Sequence, residues 1–154
     1  MPQVGIVLVS HSVRLAEGAA DLASQVGGGT VTVVAAGGTD DGGLGTSAAK
    51  VERALRRAEN GAGVVVLPDL GSAVLTVRAL REAERGAGVV VLPDLGSAVL
   101  TVRALLEDLP DVTVALADAP FVEGAVAATV TAAAGADLTA VAKAAEEAWH
   151  ARKL

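Results

Sequence analysis

The hydrophobic positions along the chain follow two alternating patterns. Short, continuous apolar runs rich in β-branched residues are typical of parallel strands buried on both faces. Apolar residues at helical spacing indicate amphipathic helices. The strands are predicted at 4–10, 30–36, 64–68, 89–93 and 112–117. The helices are predicted at 14–26, 48–58, 73–84, 121–135 and 138–152. This alternation predicts a single α/β domain over residues 1–154, with a mostly parallel sheet and helices on both faces.

Two of the helices have a clear predicted buried face. In the helix that precedes the glycines at 27–29, four residues form this face: Leu15, Ala19, Leu22 and Val26. The next helix follows Thr46 and Ser47, either of which can cap it. Its predicted buried face consists of Ala48, Val51, Leu55 and Ala58.

A unit of 25 residues occurs twice in succession, at 53–77 and at 78–102. The two copies differ only at Arg57/Glu82 and Asn60/Arg85. Solenoid proteins need at least three repeats, and their repeats normally diverge. Two nearly identical copies within an otherwise non-repetitive chain therefore indicate a tandem duplication, natural or engineered.

Each copy contains the strand VVVLP, the turn DLGS and the start of a helix, so the duplicated unit is a complete β-turn-α module. The residues between the two VVVLP strands are enough for a helical crossover to a parallel neighbour. The fold is therefore expected to accept the second copy as one extra β-α unit. A copy that is looped out and an exchange of copies between protomers are the alternatives. The sequence leaves all three open.

Composition and charge exclude several classes of protein. The formal net charge of −6 argues against nucleic acid and anionic membranes as partners. The chain has no cysteine, which excludes disulfides and cysteine-bound zinc. No secretory signal is recognised at the N-terminus, and the weakly apolar run at 124–136 is too short to span a bilayer. A cytoplasmic protein without membrane insertion is expected.

The candidate chemistry lies in loops that follow predicted strands. These loops are SHS at 10–12, GGTDDGGLGTS at 37–47, and DLGS at 69–72 or 94–97. Parallel sheets bind ligands at the carboxyl ends of their strands, where the strand order reverses. His11 stands there, just before a helix. Its imidazole can attack phosphorus, and amides of a glycine-rich loop and a helix N-terminus favour an anion.

Other polar residues are weaker candidates. Asp69, or its copy Asp94, is suited either to orient an imidazole or to shape an Asx-turn, and the sequence leaves both open. Asp40 and Asp41 are interpreted as a solvated loop pair rather than as metal ligands. His150 is predicted to be a surface residue. The glycine-rich loop lacks the lysine of a P-loop, which argues against direct ATP binding.

Four stretches together resemble a known family. They are GIVLVSHSVRLAEGAADLA, AAGGTDDGGLGTSAAKV, VVVLPDLGSA and DAPFVEGAVAATVTAAAGAD. The chain looks like the phosphoryl-carrier subunit of the phosphotransferase-dependent dihydroxyacetone kinase, which is related to mannose-type enzyme IIA domains. The resemblance extends to about residue 140, apart from one copy of the repeat.

The resemblance implies a function and an architecture. It implies that His11 accepts a phosphoryl group from the carrier protein HPr as a covalent phosphohistidine. The group then passes to ADP held on the nucleotide-binding subunit of the kinase. The family fold is a parallel sheet of core strand order 2-1-3-4 in a homodimer, without a tightly bound cofactor or metal.

The expected surroundings of His11 are amides and hydroxyls rather than a base aimed at water. We expect them to come from Ser10, Ser12, Gly38, Thr39, Gly45, Thr46, Ser47, Gly71 and Ser72. The family pattern has one DLGS loop, and copy one follows the helix that leads to the third strand. Asp69 and Ser72 are therefore favoured at the site, with Asp94 and Ser97 as the alternative.

Three rival functions remain. The first is a mannose-type enzyme IIA that feeds a sugar permease, against which the SHS and GTDDG loops count. The second is a folded duplication variant that no longer transfers phosphate. The third is a small-molecule-binding α/β domain without chemistry.

Overall fold

The computed structural model describes residues 2–58, 60–68, 89–91, 114–116 and 119–154. The strands within these ranges are β1 (Gly5–Ser10), β2 (Val33–Gly37), β3 (Val64–Pro68), β4 (Val89–Val91) and β5 (Val114–Leu116). The helices are α1 (Val13–Val26), α2 (Ala48–Ala58), α3 (Phe121–Ala133) and α4 (Leu138–Glu147), followed by a 3₁₀ turn at Ala148–His150. The predicted α/β class is confirmed. In this part of the chain, no helix has both the length and the apolar character that crossing a membrane requires.

The strand pairs within the described ranges are all parallel, and the sheet has the order β2-β1-β3-β4-β5. The predicted order of the first three strands is confirmed, with the reversal between β1 and β3. β4 and β5 add two further strands to the sheet, each of three described residues. Val64, Val65 and Val66 of β3 pair with the equivalent residues of the second copy in β4. The fourth position of the core order and the extra β-α unit stay predictions, because most of residues 69–113 lie outside the described ranges.

The strongly apolar strand β1 is buried on both faces of the sheet. Ile6 and Leu8 belong to a cluster with residues of α1, α3 and α4. On the opposite face α2 packs so closely that a Cβ at Gly5 would overlap the carbonyl oxygen of Ala58. Helices therefore cover both faces, and the core consists of aliphatic side chains with alanine at the helix contacts.

The predicted buried face of α1 is wrong for all but one of its residues. Leu15, Leu22 and Val26 are 42%, 46% and 52% exposed, and only Ala19 of the predicted set is buried. The helix instead turns an alanine face to the protein, formed by Ala16, Ala19, Ala20 and Ala23. Alanine allows the helix axis to approach its neighbours closely, which the larger residues would prevent.

The other helices and strands agree with the predictions except at some boundaries. In α2, Val51 and Ala58 are buried as predicted, whereas the side chains of Ala48 and Leu55 lie outside the described residues. Strand β2 begins three residues later than predicted and ends one residue later. Helix α4 ends at Glu147 rather than continuing to residue 152. Beyond it the chain returns towards α3, where the Lys153 ammonium lies 2.9 Å from the Glu123 carboxylate.

Candidate functional site

His11 lies in the short connection between the end of β1 and the start of α1, and its side chain is half-buried. The fully buried Ser10 shapes this connection, because its hydroxyl oxygen accepts the Ser12 N–H at 3.0 Å. Ser12 in turn caps α1, since its hydroxyl oxygen accepts the Leu15 N–H at 3.3 Å. The two serines that flank the histidine therefore define the path of the backbone around it.

The location of His11 suits an anionic group. It precedes the N-terminus of α1, whose amides and dipole give a positive partial charge, and the first turn of α1 contains no acidic residue. It also lies at the carboxyl end of β1, beside the reversal of strand order between β1 and β3. A phosphoryl group on His11 would meet a favourable electrostatic field there.

The glycine-rich loop after β2 folds back onto the backbone at His11. The Gly45 N–H donates to the His11 carbonyl at 3.0 Å, and the Gly38 N–H donates to the Ser10 carbonyl at 3.0 Å. Thr46 forms an isolated parallel bridge with Gly38. The structure thus brings Ser10, Ser12, Gly38, Gly45 and Thr46 together around the connection that carries the histidine.

Gly38 allows this close approach. Its φ angle is +71°, in the left-handed region that favours glycine. A Cβ at this position would lie 2.6 Å from a methyl carbon of Val13 and 2.9 Å from the Gly43 carbonyl oxygen. The loop therefore packs directly against the first residue of α1.

The two exposed aspartates of the loop organise its hydroxyls. The Asp41 carboxylate accepts hydrogen bonds from the Thr39 hydroxyl and from the Gly43 N–H, and these bonds, the first above all, lower the pKa of Asp41. The Asp40 carboxylate accepts the Ser47 hydroxyl at 2.5 Å. Both contacts agree with the interpretation of the aspartates as loop residues. Among the residues that the structure describes, no group of three or more His, Cys, Asp or Glu side chains is arranged to hold a metal ion.

These contacts assign two predicted phosphate-binding hydroxyls to a structural role in this conformation. Thr39 and Ser47 direct their protons at carboxylates, and the Ser47 oxygen also accepts the Lys50 N–H at 3.1 Å at the start of α2. Their part in phosphate binding stays a prediction. Sequence analysis missed Lys50, whose ammonium donates to the Gly37 carbonyl at 3.0 Å. Its position three residues after a capping serine was the available signal.

The third predicted loop lies outside the described residues. Strand β3 ends at Pro68, which pairs with Val9 of the parallel strand β1. The carboxyl ends of β3 and β1 therefore lie at the same end of the sheet. The predicted roles of the residues beyond it stay predictions, and these residues are Asp69, Gly71, Ser72, Asp94 and Ser97. His150 is exposed, as predicted for a surface residue.

Comparison with protein-family models identifies one family. The model EIIA-man, described as the PTS system fructose IIA component, matches residues 5–86 and again residues 76–142. The first match contains the repeat copy at 53–77 and the second contains the copy at 78–102. The two matches are consistent with a duplication inside one family domain.

Similar proteins of known sequence point in the same direction. The phosphoryl donor subunit DhaM of PEP-dependent dihydroxyacetone kinase 2 from Listeria innocua is 37% identical over 73 residues, which cover 47% of this chain and 58% of that protein. The corresponding DhaM of Escherichia coli is 35% identical over 144 residues, which cover 90% of this chain and 25% of that protein. The chain thus spans only part of the length of these relatives.

The fold also has a solved counterpart. The crystal structure of the protein of unknown function EF1359 matches with a TM-score of 0.60 and 27% identity, covering 94% of each chain. The resemblance that the sequence motifs indicated is confirmed. The chain belongs to the EIIA-man family of phosphotransferase-system IIA components and is similar to DhaM subunits.

Proposed function

We propose that this chain is the phosphoryl carrier of a phosphotransferase-dependent dihydroxyacetone kinase. In this proposal His11 accepts a phosphoryl group from HPr and passes it to ADP bound on the nucleotide-binding subunit. The observation that carries the proposal is the position of His11, at the carboxyl end of β1 and before the N-terminus of α1. The similarity to DhaM proteins, which are named phosphoryl donor subunits of dihydroxyacetone kinase, supports a kinase subunit as the acceptor.

The proposed reaction consists of two in-line displacements. A nitrogen of the neutral His11 imidazole attacks the phosphorus carried by HPr, and the bond from phosphorus to HPr breaks. A β-phosphate oxygen of ADP then attacks the same phosphorus, and the bond to His11 breaks to form ATP. Phosphoryl transfer depends mainly on positioning and charge stabilisation, which the amides at the start of α1 supply. This chain needs no tightly bound cofactor or metal for either step.

A carrier must also protect its phosphohistidine from water. Asp40 and Asp41 lie in the glycine-rich loop and accept hydrogen bonds from loop residues. Asp40 accepts from Ser47, and Asp41 accepts from Thr39 and Gly43. In this arrangement neither carboxylate acts as a general base that activates water. We propose that Asp69 orients the imidazole, that Ser72 and Gly71 complete the cradle, and that Asp94 and Ser97 take these roles if the copies exchange. The carrier is proposed to work as a homodimer in the cytoplasm.

The first test is phosphorylation with purified components. The chain is incubated with phosphoenolpyruvate, enzyme I and HPr, and its intact mass is compared with that of His11→Ala and His150→Ala. One added phosphoryl group on the parent and on His150→Ala, and none on His11→Ala, is the expected result. If no protein gains a group, and a variant lacking residues 78–102 gains none either, the carrier function is wrong.

The second test identifies the acceptor. The family model describes a sugar-system IIA component, so a permease IIB domain is the rival acceptor. Phosphorylated protein is mixed with either the ADP-loaded kinase subunit or a IIB domain. We expect rapid transfer of the phosphoryl group to the ADP on the kinase subunit and no transfer to the IIB domain. Transfer to the IIB domain alone would replace the kinase assignment with a sugar-transport function.

A further inference from the structure

A second surface, next to the His11 loops, lies along the edge strand of the sheet. A cavity of about 410 Å³ opens beside the edge strand β2, between the start of α1 and one face of α2. Val34, Ala35 and Gly37 of β2 line it, as do Val13 and Glu17 of α1. We refer to this cavity as the β2 groove.

The charge of the β2 groove is opposite to that of the chain. Lys50, Arg53 and Arg57 of α2 line it, and their spacing of three and four residues places them in one row along the helix. Among the described lining residues, Glu17 is the one carboxylate, so this part of the groove has an excess of positive charge. The chain as a whole has a formal net charge of −6. An acidic ligand is therefore attracted here and repelled by the protein in general.

The β2 groove adjoins the histidine site. Val13, which lines it, is two residues after His11, and Gly37 pairs with Ser10, the residue before His11. The Lys50 ammonium contacts the Gly37 carbonyl at 3.0 Å, so the row of cations begins where the glycine-rich loop leaves β2. A protein that occupied the groove would lie beside the histidine.

The same charges argue against a second copy of this chain as the occupant. A two-fold interface that joined two β2 edges would be isologous, with the same patch on both protomers. Such an interface would bring a patch that contains Lys50, Arg53 and Arg57 against its own copy, with an excess of positive charge on both sides. Like charges across an interface cost several kcal/mol.

We propose that the β2 groove docks an acidic segment of the kinase subunit that accepts the phosphoryl group from His11. This inference rests on the proposed carrier function and adds the chemistry by which a partner is recognised. The cations raise the rate of encounter and align the partner beside the histidine, while the chemical step stays with His11. The repeat bears on this surface, because the second copy has Glu82 at the position of Arg57.

The test compares Arg53→Glu/Arg57→Glu with the parent and with Arg152→Glu, an exposed arginine that does not line the groove. Thermal unfolding verifies that each variant is folded. Phosphoryl transfer is then measured against HPr concentration and, separately, against the concentration of the ADP-loaded subunit, at low and high salt. We expect KM for the ADP-loaded subunit to rise about tenfold at low salt, with kcat unchanged and the salt dependence reduced, while KM for HPr stays unchanged.

The outcomes separate this inference from the proposed function. Normal transfer by the parent together with unchanged KM values in the double variant would overturn the docking inference and leave the carrier function intact. If the parent accepts no phosphoryl group, the proposed carrier function is wrong. Binding of fluorescent hexaglutamate then tests whether the β2 groove binds acidic segments. The acidic-segment site is supported if the parent and Arg152→Glu bind hexaglutamate and the double variant does not. Binding of ADP alone, seen by NMR at groove residues, would replace it with a small-anion site.

Discussion

The segment around His11 and the repeated segment after it differ in how strongly their sequence defines position. Around His11, contacts such as Gly45 to His11 join residues whose surrounding sequence occurs once in the chain. In residues 53–102 nearly every residue has an identical copy 25 positions away, and the strands of both copies lie side by side in one sheet. Identical side chains cannot determine which copy forms β3 and which forms β4. The assignment therefore depends on the few contacts to residues that occur once in the chain.

Two contacts of this kind join copy one to β1 and the residues before it. Ala58 packs against Gly5, and the Asn60 side chain donates to the Gln3 carbonyl at 2.9 Å. Copy two has alanine at the position equivalent to Ala58 but arginine, Arg85, at the position equivalent to Asn60. Of the sequence differences between the copies, Asn60 is therefore the main one that favours copy one beside β1. The order of the two copies along the chain favours it as well.

The largest expected effect comes from a matched pair of core truncations, Leu67→Ala and Leu92→Ala. Leu67 is 1% exposed and packs in the cluster with α1, α3 and α4, so its truncation is expected to cost about 2–5 kcal/mol in the free energy of unfolding. Leu92, its copy, lies outside the described residues and serves as the matched comparison. Urea unfolding measures both. A loss well below about 2 kcal/mol for Leu67→Ala would contradict the burial of copy one beside β1.

The next effect tests the close contact of copy one with β1. Gly5→Ala adds a methyl group against the Ala58 carbonyl oxygen, and this overpacking is expected to cost about 1–3 kcal/mol of stability. Gly18→Ala is the control, because no atom lies within 4 Å of a Cβ there and alanine favours the helix by about 0.5–1 kcal/mol. Thermal unfolding of the two variants is compared. Equal melting temperatures would mean that the contact is absent in solution.

A smaller effect separates the two copies directly. Deletion of 78–102 and deletion of 53–77 produce chains that differ only at the positions of Arg57 and Asn60. The first chain keeps the Asn60 hydrogen bonds to Gln3 and Ala62 and is expected to be about 1 kcal/mol more stable. Asn60→Ala in the first chain should remove most of the advantage. A more stable second chain would show that Asn60 does not select the copy.

The smallest effect concerns the unique segment. Hydrogen bonds from Thr39 and Gly43 lower the pKa of Asp41 in the folded protein, so its ionised form contributes stability above its ordinary pKa. This contribution is lost as the pH falls through the lowered value. NMR titration of the Asp41 carboxyl should show a midpoint below that of an ordinary aspartate. Thr39→Val should move it upward, and an unshifted midpoint in the parent would contradict the loop geometry.

Much of the fold could be predicted because its signals are local. β1 is a continuous apolar run, and the loops SHS and DLGS each follow a predicted strand. The buried face of α1 could not be predicted in the same way. Leucine and alanine stripes lie side by side on that helix, and the closer packing of alanine decided between them.

The candidate site shows the same division between local and distant contacts. Sequence placed His11 at a strand end, but the pairing of Asp40 with Ser47 and of Asp41 with Thr39 depends on how the glycine-rich loop folds. The β2 groove was not predicted, although Lys50, Arg53 and Arg57 have helical spacing. Three cations on a helix are normally a solvated face, and only their position beside an edge strand makes them part of a cavity.

The sequence by itself determined the alternation of strands and helices, the position of His11 after β1 and the existence of two equivalent repeat units. These features depend on hydrophobic periodicity, capping residues and identity of sequence, all of which act within a few residues. The tertiary structure decided which face of α1 is buried, which hydroxyl meets which carboxylate and which repeat strand lies beside β1. Those choices depend on packing and hydrogen bonds between residues far apart in the chain, for which each segment alone offers nearly equal alternatives.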